Sequence, residues 1–154
     1  MPTTYESLLG NGTNSETISA LGITITYHVP PEATNHAWAL LEYQAPAHFR
    51  GPAPHWHAET SELFYILDGV LEFMIGDQTI SAPAGTSVRV VPGLIHTFGN
   101  PSPTPARFLV WLSPGSFANY FRDLVQLIQS EPIWPPSDPH KLQLLAHYDQ
   151  HAVE

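Results

Sequence analysis

Short apolar or alternating runs, each closed by a turn-forming group, follow one another through the middle of this chain, and they restrict its fold more than any other feature. Glu62–Leu67 leads to Asp68-Gly69, Val70–Ile75 to Gly76-Asp77, Gln78–Ser81 to Pro83-Ala84-Gly85, and Ser87–Val91 to Pro92-Gly93. Glycine reaches positive φ without strain, aspartate bonds its own backbone and proline presets φ, so each group suits a tight reversal. Runs at Ile23–Val29, Ala37–Tyr43, His55–His57, Ile95–Phe98 and Arg107–Leu112 extend the series. Strands this short, with no strand–helix–strand rhythm between them, predict an all-β sandwich or barrel. Sixteen prolines and ten glycines in 154 residues agree with a fold of strands and turns.

The two ends read differently. Residues 1–18 are polar and rich in Gly, Asn and Thr, which predicts a loose arm, and the barrel is expected over 19–112. From Ser113-Pro-Gly-Ser116 the period changes: Phe117, Tyr120, Phe121, Leu124, Leu127 and Ile128 fall at helical spacing. A proline-rich stretch follows, and Asp138-Pro139 then forms an N-cap and first-turn proline for a second short helix through Tyr148. Neither helix buries its apolar face alone, so residues 113–154 are expected to pack on an opening or flank of the barrel.

Charge excludes some partners. One lysine and four arginines against fourteen acids give a net charge of −9. Nucleic acid requires a basic stripe to displace counterions, and none is present; an anionic membrane surface is disfavoured for the same reason. No apolar run is long enough to span a bilayer. Met1–Glu6 lacks the basic and then apolar regions of a signal peptide, and a cytoplasmic setting is expected. The absence of cysteine removes disulfides, thiolate ligands and a cysteine nucleophile.

Chemistry concentrates at His55, His57, Glu62 and His96. His55-Trp56-His57 is a period-two pair, so on a strand both imidazoles share a face and Trp56 points away. Three imidazoles and a carboxylate are a ligand set for one divalent transition metal: Fe, Mn, Ni, Co, Cu or Zn. Glu59 competes for the carboxylate position, but it is only two residues from His57 and is expected in the turn, facing solvent. Glu62 is also the expected catalytic proton acceptor, because a carboxylate in an apolar pocket gains basicity. Counting parity from Glu62, His96 and Val70 places Phe64, Ile66, Phe73 and Phe98 inward as a substrate pocket, apolar and aromatic apart from the metal.

Two motifs carry a resemblance. His55-x-His57-x4-Glu62-x6-Gly69 resembles the first motif of the cupin superfamily, and Gly85-x5-Val91-Pro92-Gly93-x2-His96-x3-Asn100 resembles the second. Two departures stand beside the match: Phe49 occupies the position of a family glycine, with Gly51 nearest, and the second-motif proline has moved to Pro92. The resemblance implies a double-stranded β-helix, the cupin jelly-roll barrel, and a metal on these four residues. The tail from Ser113 to Pro139 is similar to small bacterial cupins described as quercetin-2,3-dioxygenase-like. That likeness implies a metal-dependent dioxygenase acting on a small hydroxylated aromatic compound. The alternatives are a non-catalytic or sensory small-molecule-binding cupin, and a metal-dependent isomerase or lyase. Small cupins commonly pair, so a homodimer is expected, with Trp56, Tyr65 and Trp111 as natural interface residues.

Overall fold

Alternate residues of the strand Ala106–Ser113 are buried, and it lies inside a six-stranded antiparallel sheet where one face meets the core. The computed structural model describes residues 8–10 and 15–154. In chain order the strands are β1 (Glu16–Ala20), β2 (Ile23–Val29), β3 (Ala39–Ala45), β4 (His55–Trp56), β5 (Ser61–Asp68) and β6 (Val70–Ile75). They continue with β7 (Gln78–Pro83), β8 (Ser87–Val90), β9 (His96–Gly99), β10 (Ala106–Ser113) and β11 (His151–Ala152). One sheet runs β1-β2-β3-β10-β5-β8 and the other β11-β4-β9-β6-β7. Their inner faces close on each other as a jelly-roll barrel, the all-β closure expected from the turn pattern and the form implied by the cupin resemblance.

Aromatic side chains fill the space between the sheets. Tyr43 stacks on Phe108 with ring centroids 5.0 Å apart, and Phe64 meets Phe73 edge-on at 5.1 Å. Such pairs add stability beyond the area they bury. Asn100, just past β9, holds the loop that follows: Nδ2 donates to the carbonyls of Pro46 and Thr104, and Oδ1 accepts from the Ser102 amide and hydroxyl. Gly51, at φ 73°, passes so near β9 that an added Cβ would stand 1.6 Å from the Phe98 carbonyl oxygen. The close approach falls at residue 51, and glycine stands there rather than at Phe49.

Of the expectations about the ends, the first helix is present and the arm and the second helix need correction. Glu16, Thr17 and Ile18 belong to β1 rather than to a loose arm, pairing with Tyr27, Thr26 and Ile25. Thr17 and Ile18 are β-branched, and the Thr17 and Thr26 hydroxyls meet at 3.3 Å across the ladder. The rest of the expected arm, apart from residues 8–10, lies outside the described residues. The first C-terminal helix appears as a 3-10 turn, Gly115–Ala118, running into α1 (Asn119–Ser130). The second is a 3-10 segment, Pro139–Leu145, that stops short of Tyr148. Asp138 does cap it, accepting from the His140 amide at 2.9 Å. Beyond it the chain turns back and lays β11 against β4, a pairing the sequence pattern did not announce.

The helical extension covers the barrel from one side. Tyr27, buried on β2, donates its hydroxyl to the Ala118 carbonyl at 2.7 Å. Arg122 of α1 pairs with Glu16 at 2.6 Å and Glu32 at 2.7 Å, and its guanidinium lies 4.6 Å from the centre of the Tyr27 ring. Among the described residues, no helix is long and apolar enough to cross a membrane.

Candidate metal centre

Strand pairing assembles the histidines. His55 on β4 lies directly across from His96 on β9, and His96 in turn faces Ile75 on β6. Glu62 arrives from the opposite sheet, on β5, between Val90 and Leu112. His55, His57, Glu62 and His96 are all buried. The three histidines each present a ring nitrogen within 4.8 Å of the others, the spacing a shared cation requires. Glu62 Oε2 lies 3.0 Å from His96 Nε2 and 3.4 Å from His57 Nε2. Glu59 is exposed in the turn after His57, apart from this cluster.

Backbone carbonyls determine how the rings are protonated. His55 Nδ1 lies 2.8 Å from the Ala53 carbonyl, His96 Nδ1 lies 2.9 Å from that of Leu94, and His57 Nδ1 meets that of Asp149. A carbonyl only accepts, so Nδ1 of each ring carries a proton and Nε2 turns inward. Tying one ring nitrogen to a carbonyl leaves the other free for a metal and sets its direction. His57 Nε2 is buried with no hydrogen-bond partner and lies 3.4 Å from Glu62 Oε2. A buried lone pair beside a carboxylate is costly unless a cation joins them. The donor set fits a divalent transition metal.

Electrostatics revises the role given to Glu62. Burial does raise its pKa, as the sequence reading supposed, but His57 and His96 together outweigh burial and hold the carboxyl down to about 2. Glu62 is therefore ionised and poorly basic, which suits a ligand better than a proton acceptor. Burial pushes His55 down to about 4, so it is neutral and ready to bind at ordinary pH. Burial also pushes His57 down, but Glu62 and the Asp149 carbonyl prevail and leave it raised.

Phe64, Ile66 and Phe73 are wholly buried, and Phe98 is half-buried among them. Phe98 lies 5.2 Å from Phe64 and 6.1 Å from Phe73 between ring centres. Ile66 is four residues along β5 from Glu62, about 13 Å at the rise of an extended strand, and lies under the turn through Thr86. A groove of about 440 Å³ opens on the other side of Phe98, against His48, Arg50, Glu72 and Met74, and none of the three clustered histidines lines it. Of the two arginines considered for an anionic substrate, Arg107 pairs with Glu42 at 3.1 Å on the outer face, and Arg50 lines this groove.

Several residues near the histidines escaped the sequence reading. Phe117 sets its ring edge-on to His57 at 4.8 Å, His151 stacks on Trp56 at 4.4 Å, and Asp149 supplies the carbonyl that orients His57. Phe117 was visible only as a helix-spaced apolar residue. Nothing local marked Asp149, which follows an irregular tail.

Residues 41–112 match the cupin domain family. The chain carries a cupin domain. No curated protein sequence matches it. Among solved structures the chain is similar to a predicted oxalate decarboxylase from Thermotoga maritima, at 19% identity over 68% of this chain and 97% of that one, with a TM-score of 0.59. An RmlC-like cupin from Shewanella frigidimarina matches at 20% identity over 69% and 89% of the two chains, TM-score 0.59. A sugar phosphate isomerase from Silicibacter pomeroyi matches at 17% over 67% and 73%, TM-score 0.57. At these identities the likeness is one of fold, and one fold hosts many chemistries.

Proposed function

We propose that this cupin domain holds one divalent transition metal on His55, His57, Glu62 and His96 and acts as a dioxygenase-like oxidoreductase on a small, largely apolar hydroxylated compound. The observation that carries the metal is the convergence of three buried imidazoles, each tied through Nδ1 to a backbone carbonyl, with the Glu62 carboxylate set against His57 and His96. When bound, such an ion supplies Lewis acidity and, for a redox-active metal, an electron path. The residues around it exclude water. Phe64, Phe73 and Phe98, packed on one another, and wholly buried Ile66 make the barrel interior along β5 from Glu62 apolar and aromatic, which favours an apolar substrate. Ionised Glu62 would offset one charge of a divalent ion, leaving positive charge to attract the oxygen of a hydroxylated substrate.

Elemental analysis of the purified protein, then oxygen consumption with quercetin and simpler catechols, tests this. Stoichiometric metal with oxygen uptake is expected. A fully loaded protein that binds these compounds and consumes no oxygen would instead be the non-catalytic or sensory binder. The isomerase or lyase reading is less favoured, because sugar and organic-acid substrates call for further charged groups on strand interiors, and among the described residues the buried acids and bases are Glu62 and the three histidines already assigned to the ion.

The expected homodimer finds its best surface on the outer face of the six-stranded sheet. Leu63 and Tyr65 of β5 are exposed there, beside half-buried Trp111, Leu109 and Leu40. Trp56 is not available in the same way, because His151 stacks on it. Light scattering of Tyr65→Glu should report a monomer where the unmodified protein is a dimer; an unmodified monomer removes the proposal.

A further inference from the structure

Five hydrogen bonds run from one residue of the C-terminal tail into the turn that separates two proposed ligands. The Asp149 carbonyl accepts from His57 Nδ1. Its Oδ1 accepts from the Ala58 amide at 2.7 Å, and its Oδ2 from the Glu59 and Thr60 amides at 2.8 Å each and the Thr60 hydroxyl at 2.9 Å. Three consecutive amides gathered on a carboxylate make an anion nest, a well-defined geometry for a turn with no ladder of its own. That turn sets the distance between His57 and Glu62, and Thr60, its last residue, is completely buried.

The tail is held in place from several sides. β11 pairs with β4, setting Ala152 across from His55 and His151 across from Trp56. His151 Nε2 lies 3.0 Å from Asp149 Oδ1, Gln150 donates to the Tyr120 hydroxyl at 3.0 Å, and Tyr148 donates to Asp123 at 2.5 Å. The segment that carries Asp149 is thus anchored to α1 on one side and to the metal strand on the other.

We infer that Asp149 is a positioning residue of the metal centre: its main chain orients His57, and its carboxylate holds the 58–60 turn so that His57 and Glu62 meet one ion. This rests on the metal reading above. It adds that affinity and coordination geometry are set by a residue about 90 positions from the ligand it orients.

Co(II) is the probe, added to metal-free full-length protein, with affinity read by chelator competition and geometry by the visible ligand-field spectrum. Asp149→Ala should bind Co(II) roughly 10–100-fold more weakly than the unmodified protein, the range for loss of an outer-shell partner, with shifted bands. Asp149→Asn, which keeps one acceptor oxygen, should fall between and serves if the alanine variant does not fold. Tyr148→Phe loosens the tail without touching the Asp149 contacts; it should lower the melting temperature and leave the spectrum unchanged. Wild-type affinity and bands in folded Asp149 variants overturn the inference while leaving the metal site standing. Failure of the unmodified protein to bind Co(II) overturns both.

Discussion

At the scale of single residues, Glu62 carries the sharpest consequence. Glu62→Gln keeps the volume and removes the charge that faces His57 and His96. Metal affinity should fall by at least the roughly 10–100-fold expected from outer-shell losses, and an undiminished affinity in chelator competition would strike Glu62 from the ligand set. Phe117 is a packing residue with a functional neighbour, because its ring walls one side of His57. Phe117→Ala opens a cavity in a site that is 4% exposed. We expect a loss of about 3–5 kcal/mol in urea unfolding; a loss under about 1 kcal/mol would show that the wall collapses to fill the space. Parity in the sequence placed Glu62, Phe64 and Phe73 inward because side chains alternate strictly along a strand. It did not reveal the pKa of Glu62, which depends on two imidazoles brought from β9 and from just beyond β4.

At the scale of elements, the join between α1 and the barrel rests on Arg122. Its guanidinium reaches Glu16 on β1, Glu32 in the 3-10 turn and the Tyr27 ring on β2. Exposed ion pairs contribute little singly, but a network around one cation that also covers an aromatic face contributes more. Arg122→Ala should cost roughly 1–2 kcal/mol at low salt, less at high salt. The pH dependence follows from Glu32, whose hydrogen bond to Arg122 prevails over burial and holds its carboxyl below the ordinary value. A depressed carboxylate stabilises the fold above its unfolded pKa, and that stabilisation is lost as pH falls through the folded one. The gap between Arg122→Ala and the unmodified protein should therefore narrow as melting is followed below pH 4.5; a constant gap would assign the effect to packing. The helix itself was legible from its apolar spacing. The strand β11 was not, since two residues carry no periodicity and their pairing depends on where the tail returns.

At the scale of the whole molecule, the proposed ion links function to folding. The ligands come from both sheets, so a bound ion braces the barrel across its interior, and binding only the folded state stabilises it by mass action. Metal at about 100 times its dissociation constant adds about 2.7 kcal/mol, or roughly 5–10 °C in melting temperature for a chain of this size. Calorimetry with and without a chelator measures this directly, and identical melting curves would mean the histidines hold no ion. The same view explains why the substrate wall is an incomplete reading. Phe64, Phe73 and Phe98 belong to a packed core, and which of their edges a ligand meets is decided by how the two sheets close.

The sequence by itself determined the strands, the turns and the identity of the histidine–glutamate cluster. Those follow from short-range rules: alternation along a strand, positive φ at Gly69 and Gly93, and the fixed spacing of His55, His57 and Glu62. Only the tertiary structure decided that Asp149 orients His57, that Phe117 walls it, that Glu62 is depressed rather than raised, and that the arm begins a strand at Glu16. Each of these depends on groups many residues apart meeting in a water-poor interior, where hydrogen bonds and charges act across a few ångströms of space whatever their separation in the chain.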